Sequence, residues 1–146
     1  MAELRRASCY DLRVAQHQVH QCPYFIIRVD DADRIVRIWR SSEPFPHLSA
    51  VHAGWQSVIH ACNKIGRVGR CQLLDMRLAP ARNDPEFEKT VTALLPAVHA
   101  GFLRNAVLAK LAVGALQIRR LAKSDGIERL ITSSEDEALR YLKEVL

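Results

Sequence analysis

Two hydrophobic periods alternate along the chain. Residues 24–29 (YFIIRV) and 34–40 (RIVRIWR) are β-branched, apolar and aromatic runs parted by Asp30, Asp31, Ala32 and Asp33, which predicts a hairpin. Residues 41–47 (SSEPFPH) form a loop, because two prolines cannot continue a ladder. Leu48, Val51, Trp55, Val58, Ile59, Cys62 and Ile65 then recur at helical spacing, and Gly66 and Gly69 end that helix. A short apolar strand is predicted over 71–76 (CQLLDM). Phe87, Val91, Leu94, Leu95, Val98 and Phe102 mark the cleanest amphipathic helix, with Pro96 predicting a kink or interruption and Gly101 a close. Residues 105–111 (NAVLAKL) predict a strand, 113–124 a helix closed by Asp125 and Gly126, and 127–132 (IERLIT) a last strand. Ser133 or Ser134 caps a final helix, with Glu135, Asp136 and Glu137 in its first turn and Ala138, Leu139, Leu142 and Val145 as its buried stripe.

The resulting order, β-β-α-β-α-β-α-β-α, implies an α/β fold with a mixed, mostly parallel five-stranded sheet. Central strands covered on both faces read as unbroken apolar runs. Here Gln72 and Lys110 interrupt the central strands, and Arg28 and Arg37 the hairpin, so the helices are expected mainly on one face. A single domain is expected over residues 23–146. Residues 1–22 are read as an N-terminal arm whose pattern leaves its structure open: Leu12 and Val14 alternate as in a short strand, yet a loose helix fits equally.

Composition narrows the classes. The length of 146 residues suits one domain, and 49% hydrophobic with 25% charged residues is ordinary for a globular chain. No apolar run approaches a bilayer span, and the first twenty residues lack a secretory leader's apolar stretch, so a cytoplasmic location is expected. Cys9, Cys22, Cys62 and Cys71 show no paired spacing and are expected as free thiols, the latter pair acting as small hydrophobes. The net charge of +5 comes from basic residues interleaved with acidic ones. Without a basic block or an aromatic-basic platform, nucleic acid is not the expected partner.

The loop Asp75–Asp84 is the strongest site candidate. It leaves the carboxyl end of a central strand and enters a helix, where open α/β sheets bind ligands. Asn83 or Asp84 can cap the helix and Pro85 suits its first position. Arg77 and Arg82 bring guanidinium groups to those amides, a combination that favours a phosphate or carboxylate. The competing reading is that Asp75, Asp84 and Glu86 neutralise the arginines and merely tie the loop down.

Other motifs fail. Cys71 and Arg77 have a C-x5-R spacing, but an apolar strand with an acidic residue separates them where a phosphatase needs a glycine-rich cradle. His17, His20 and Cys22 lack a fourth metal ligand nearby. His47, His52, His60 and His99 are scattered and expected as partly exposed surface groups. Ser41 and Ser42 have no nucleophile elbow around them. No phosphate-loop or dinucleotide fingerprint occurs, so neither cofactor nor metal is assigned.

The element order, together with LLDMRLAPARNDPEFE (73–88), RNAVLAKLAVGALQIRRLA (104–122) and SSEDEALRYL (133–142), resembles small bacterial STAS-like proteins. These share the fold of anti-sigma-factor antagonists, and the resemblance covers residues 23–146. Phosphorylated antagonists carry a Ser or Thr just after the strand Asp. Here Asp75 is followed by Met76, Arg77 and Leu78, with no hydroxyl until Thr90, so that phosphoswitch does not transfer. Lipid binding by wider relatives does not transfer either, since no extra helices are present to wall a cavity. The resemblance implies a non-enzymatic interaction or regulatory module with a protein partner. A homodimer through Tyr24, Ile26 and Trp39 is compatible with it. The alternative is a binder of, or an enzyme acting on, a small anionic ligand at the 75–84 loop.

Overall fold

The computed structural model describes residues 16–123 and 125–146, and within them one sheet carries helices on both faces. Strands β1 (Gln16–Gln21), β2 (Phe25–Asp30) and β3 (Ile35–Arg40) pair antiparallel. Strands β4 (Cys71–Asp75), β5 (Asn105–Leu108) and β6 (Leu130–Thr132) extend the sheet in parallel. Helices α1 (Leu48–Ile65), α2 (Pro85–His99) and α3 (Ala112–Ala122) connect successive strands from β3 to β6, and α4 (Glu135–Lys143) follows β6.

The described sheet has six strands rather than five, because β1 lies inside the segment expected as an arm. Its residues, QHQVHQ, carry no alternating apolar signal. An edge strand needs only a backbone ladder, and His17, Gln18 and Val19 are exposed. Leu12, Val14 and Cys9 lie outside the described residues.

Spatial order follows chain order from β1 to β6. Each parallel strand is therefore added on the same side of its predecessor, and crossovers of one hand put α1, α2 and α3 on one face. That face holds the main core, where Phe25, Ile27, Val36, Ile38, Leu74 and Val107 meet the helices. Alternate residues of the same strands, Ile35, Cys71, Leu73, Ala106 and Leu108, pack against Ala138 and Leu142 of α4 on the other face. The second face is thus covered over its parallel half. Toward β2 it carries Arg28 and Arg37, whose guanidinium carbons sit 5.5 and 4.9 Å from the Trp39 ring centroid.

Two expectations about burial change here. Gln72 does not mark an open face: it is fully buried beneath α2, and Lys110 lies beyond the end of β5. Tyr24, Ile26 and Trp39 are half-buried rather than an exposed apolar surface. Pro96 does not interrupt α2, which continues to His99 and closes with the Ala100 amide donating to the Pro96 carbonyl. Ser134 is the cap of α4, accepting from the Glu137 amide.

Candidate functional site

Strands β3, β4 and β5 end together at the carboxyl edge, and the chain leaves each of them to enter a helix on the same face. Between these exits lies a cavity of about 460 Å³. Its walls are largely apolar: Phe45 from the β3–α1 loop, Trp55 of α1, Met76, Val91 of α2, and Ile118 and Leu121 of α3. Arg40, Arg77, Arg82, Lys110 and Gln117 border it. This crevice at the strand ends is where open α/β sheets hold ligands, and its size suits a small molecule. The crossover helices themselves wall it, so no additional helix is needed.

The residues of the 75–84 loop divide around this cavity. Asp75 is in register with Trp39 and so points to the opposite face. It is buried and accepts from Arg77 at three donors: Nε at 3.0 Å, Nη2 at 2.7 Å and the backbone amide at 3.0 Å. Arg77 Nη2 also lies 3.2 Å from Glu135 Oε1, which accepts from Arg37 at 2.9 Å. Arg77 therefore borders the cavity but commits its guanidinium to carboxylates of the other face. Arg82 donates through Nε to Asp84 at 2.6 Å and lies over the Phe87 ring, while its carbonyl accepts from Gln117 of α3. Asp84 caps α2 by accepting from the Phe87 amide at 3.2 Å, and Arg82 holds its carboxyl below the usual range. Asn83 is exposed and does not border the cavity. The loop brings Arg77 and Arg82 to the cavity with their charge already balanced.

The cation that the sequence reading passed over is Arg40, only 4% exposed at the end of β3. Its Nη1 donates to the Ser41 carbonyl at 2.6 Å and lies 3.4 Å from the Ser41 hydroxyl. Among the described residues it forms no ion pair. Instead its guanidinium carbon sits 4.2 Å from the Phe45 ring centroid, 5.7 Å from Tyr24 and 5.8 Å from Phe25. Aromatic faces offset part of the desolvation of a cation without cancelling its charge. Burial pulls the Arg40 pKa down from its ordinary value, yet a guanidinium stays protonated. Phe45 reaches this position across Gly54, where a Cβ would come within 2.9 Å of the ring. The available signal was an aromatic residue held between two prolines directly after an arginine-terminated strand.

At the amino ends of β4 and β5 the same face carries a closed polar network. Gln72 donates to the Val98 carbonyl at 2.7 Å and presents Oε1 to His99 Nδ1 at 2.6 Å. Asn105 donates to the His99 carbonyl at 3.1 Å and presents Oδ1 to the same nitrogen at 3.2 Å. Two amide oxygens facing Nδ1 make that nitrogen the proton bearer. His99 is thus a buried core group rather than a surface one, and burial lowers its pKa to about 4.

The remaining motifs stay apart. Cys71 and Arg77 lie at opposite ends of β4, and burial pushes the Cys71 and Cys62 thiols up. His17 Nδ1 sits 3.4 Å from Asp31, and no group of three His, Cys, Asp or Glu side chains suited to a metal occurs among the described residues. No described helix is long and apolar enough to cross a membrane. No family model, curated protein or solved structure matches the chain.

Proposed function

We propose that this chain is a non-enzymatic regulatory module, STAS-like in element order, that responds to a small anionic ligand held at the carboxyl edge of its sheet. The observation that carries the reading is Arg40: a buried cation without a carboxylate partner among the described residues, bordering an apolar cavity. Water inside such a cavity solvates a guanidinium poorly, so an anion that replaces it gains electrostatic energy. The cavity residues supply cations and apolar surface, and among the described residues its lining holds no histidine, cysteine, hydroxyl or carboxylate side chain. His99 is sealed beneath α2, and Cys62 and Cys71 are buried in the cores.

The test is thermal unfolding against carboxylates, phosphate esters and sulfonates, each beside a neutral counterpart. At a hundred times its dissociation constant a ligand contributes about 2.7 kcal/mol, raising the midpoint by roughly 5 °C or more. At least one anion is expected to do so where its neutral counterpart does not. If every anion leaves the midpoint unchanged, the proposal falls.

A second reading, a protein-interaction surface beside the cavity, is favoured by Leu78, Leu111, Val113 and Leu116. These are 65%, 66%, 76% and 62% exposed on the segments that border the cavity. Grouped apolar exposure of this kind marks interaction surfaces.

A further inference from the structure

We infer that the ligand is a monoanionic carboxylate with an apolar body, its head on Arg40 and its body beneath α3. This rests on the anion-binding reading above and adds the ligand's chemical class.

The charge of the head follows from the arginines. Three border the cavity, but Arg77 is neutralised by Asp75 and Glu135, and Arg82 by Asp84. Arg40 alone of the three is without an ion pair among the described residues, and only its Nη1 has a hydrogen-bond partner there. One buried guanidinium balances one negative charge, and its planar fork matches the two oxygens of a carboxylate. Lys110 also borders the cavity without an ion pair among the described residues, but it is exposed to water at the rim, so a phosphate dianion on Arg40 would carry an uncompensated charge into apolar surroundings.

The body follows from the walls. Beyond Arg40 the cavity presents Phe45, Trp55, Met76, Val91, Ile118 and Leu121, which offer a ligand apolar contact. A polar body such as a sugar would lose its hydration there without replacement.

The geometry of α3 supports occupancy from its side. Gly114, Gln117, Ile118 and Leu121 share its cavity-facing stripe, at the spacing of one helix face. A Cβ added at Gly114 would meet nothing within 4 Å, so no packing demand explains a glycine there. Glycine is a poor helix former, and at this position it leaves the cavity wall open. Of the described residues of α3 only Ala122 is buried, while Ile118 and Leu121, partly buried against the main core, also line the cavity.

The experiment uses the full chain with Trp39→Phe, which leaves Trp55 as the sole tryptophan and thus a reporter on the cavity wall. Decanoate and naphthalene-2-carboxylate are titrated beside decan-1-ol, acetate and inorganic phosphate. At least one of the two apolar carboxylates is expected to saturate the fluorescence change. Decan-1-ol should bind at least tenfold more weakly than decanoate, and acetate and phosphate at least a hundredfold more weakly than the better carboxylate. Arg40→Met should weaken the better carboxylate at least tenfold. Gly114→Phe, whose Cβ enters open space at the cavity wall, should abolish binding while leaving the unfolding midpoint of the free protein in place. Failure of both carboxylates overturns the inference, as does equal binding of decanoate and decan-1-ol, or indifference to Gly114→Phe. Saturation by phosphate alone also overturns it, yet leaves the anion-binding reading standing. That reading falls separately, if no anion of the thermal panel stabilises the chain.

Discussion

The two ends of one sheet face are built on opposite terms. At the amino ends of β4 and β5, Gln72, His99 and Asn105 satisfy one another and the end of α2 beneath a full layer of helix. At the carboxyl edge of the same face, Arg40 at the end of β3 keeps its charge and the space beside it is unfilled. Both ends place polar atoms out of bulk water. Where each donor has its acceptor, the arrangement locks helix to sheet. Where a cation has only aromatic rings and a loop carbonyl around it and no ion pair among the described residues, binding energy is available to a ligand. Stability is concentrated at one end, and the proposed binding site lies at the other.

Acid should separate the two ends most strongly. His99 has a pKa of about 4 in the folded chain against 6.5 when unperturbed, chiefly because burial disfavours its charged form. The unfolded chain therefore binds the proton first. The contribution is fully present above pH 6.5, declines as the pH falls toward 4 and is spent below it, about 3 kcal/mol in all. Denaturant unfolding at pH 7, 5.5 and 4.5 should show this decline. His99→Leu should flatten it, and a slope unchanged in that variant would remove His99 as its source.

Gln72→Ala should cost about 2 to 3 kcal/mol in urea titrations, since it opens a buried space and removes the shorter contacts of the His99 ring and the Val98 carbonyl, leaving them only Asn105 and Arg67, each at 3.2 Å. Arg40→Met, at the other end, should change stability by less than about 1 kcal/mol, because a desolvated cation is exchanged for a flexible apolar chain. Equal losses in the two variants would erase the contrast between the ends.

The smallest effect is expected at the cavity mouth. Gly114→Ala should stabilise the free protein by about 0.5 to 1 kcal/mol, because the added methyl meets nothing and alanine favours the helix. A loss of stability there would mean that α3 needs the glycine for its own packing.

Much of the fold was legible in residue pattern. Val51, Trp55, Val58 and Cys62 mark one face of α1, and Val91, Leu94, Leu95 and Val98 one face of α2, because a buried stripe must recur with the helical period. Strand β1 was not legible, since a polar edge held by its backbone ladder leaves no side-chain alternation to read. The 75–84 loop runs from the end of β4 to the capped start of α2, as its residues predict, and Arg77 and Arg82 border the cavity. Sequence showed the carboxylates nearby but could not decide their pairing. That depends on which face each alternating side chain enters, and on α4 delivering Glu135 from 58 positions away.

Local pattern therefore determined the order of strands and helices from β2 onward and the loop that borders the cavity, because each is written within a few residues of chain. Tertiary structure decided which of the cavity's three arginines are paired and which has no ion pair among the described residues. Asp75 cancels Arg77 because both reach the same carboxyl end of β4, whereas Arg40 is enclosed by Tyr24, Phe25 and Phe45, and no carboxylate of the described residues comes into ion-pair contact with it, Glu43 acting only from a distance. Net charge at a site is a sum over neighbours in space, and that sum is unknown until the chain has folded.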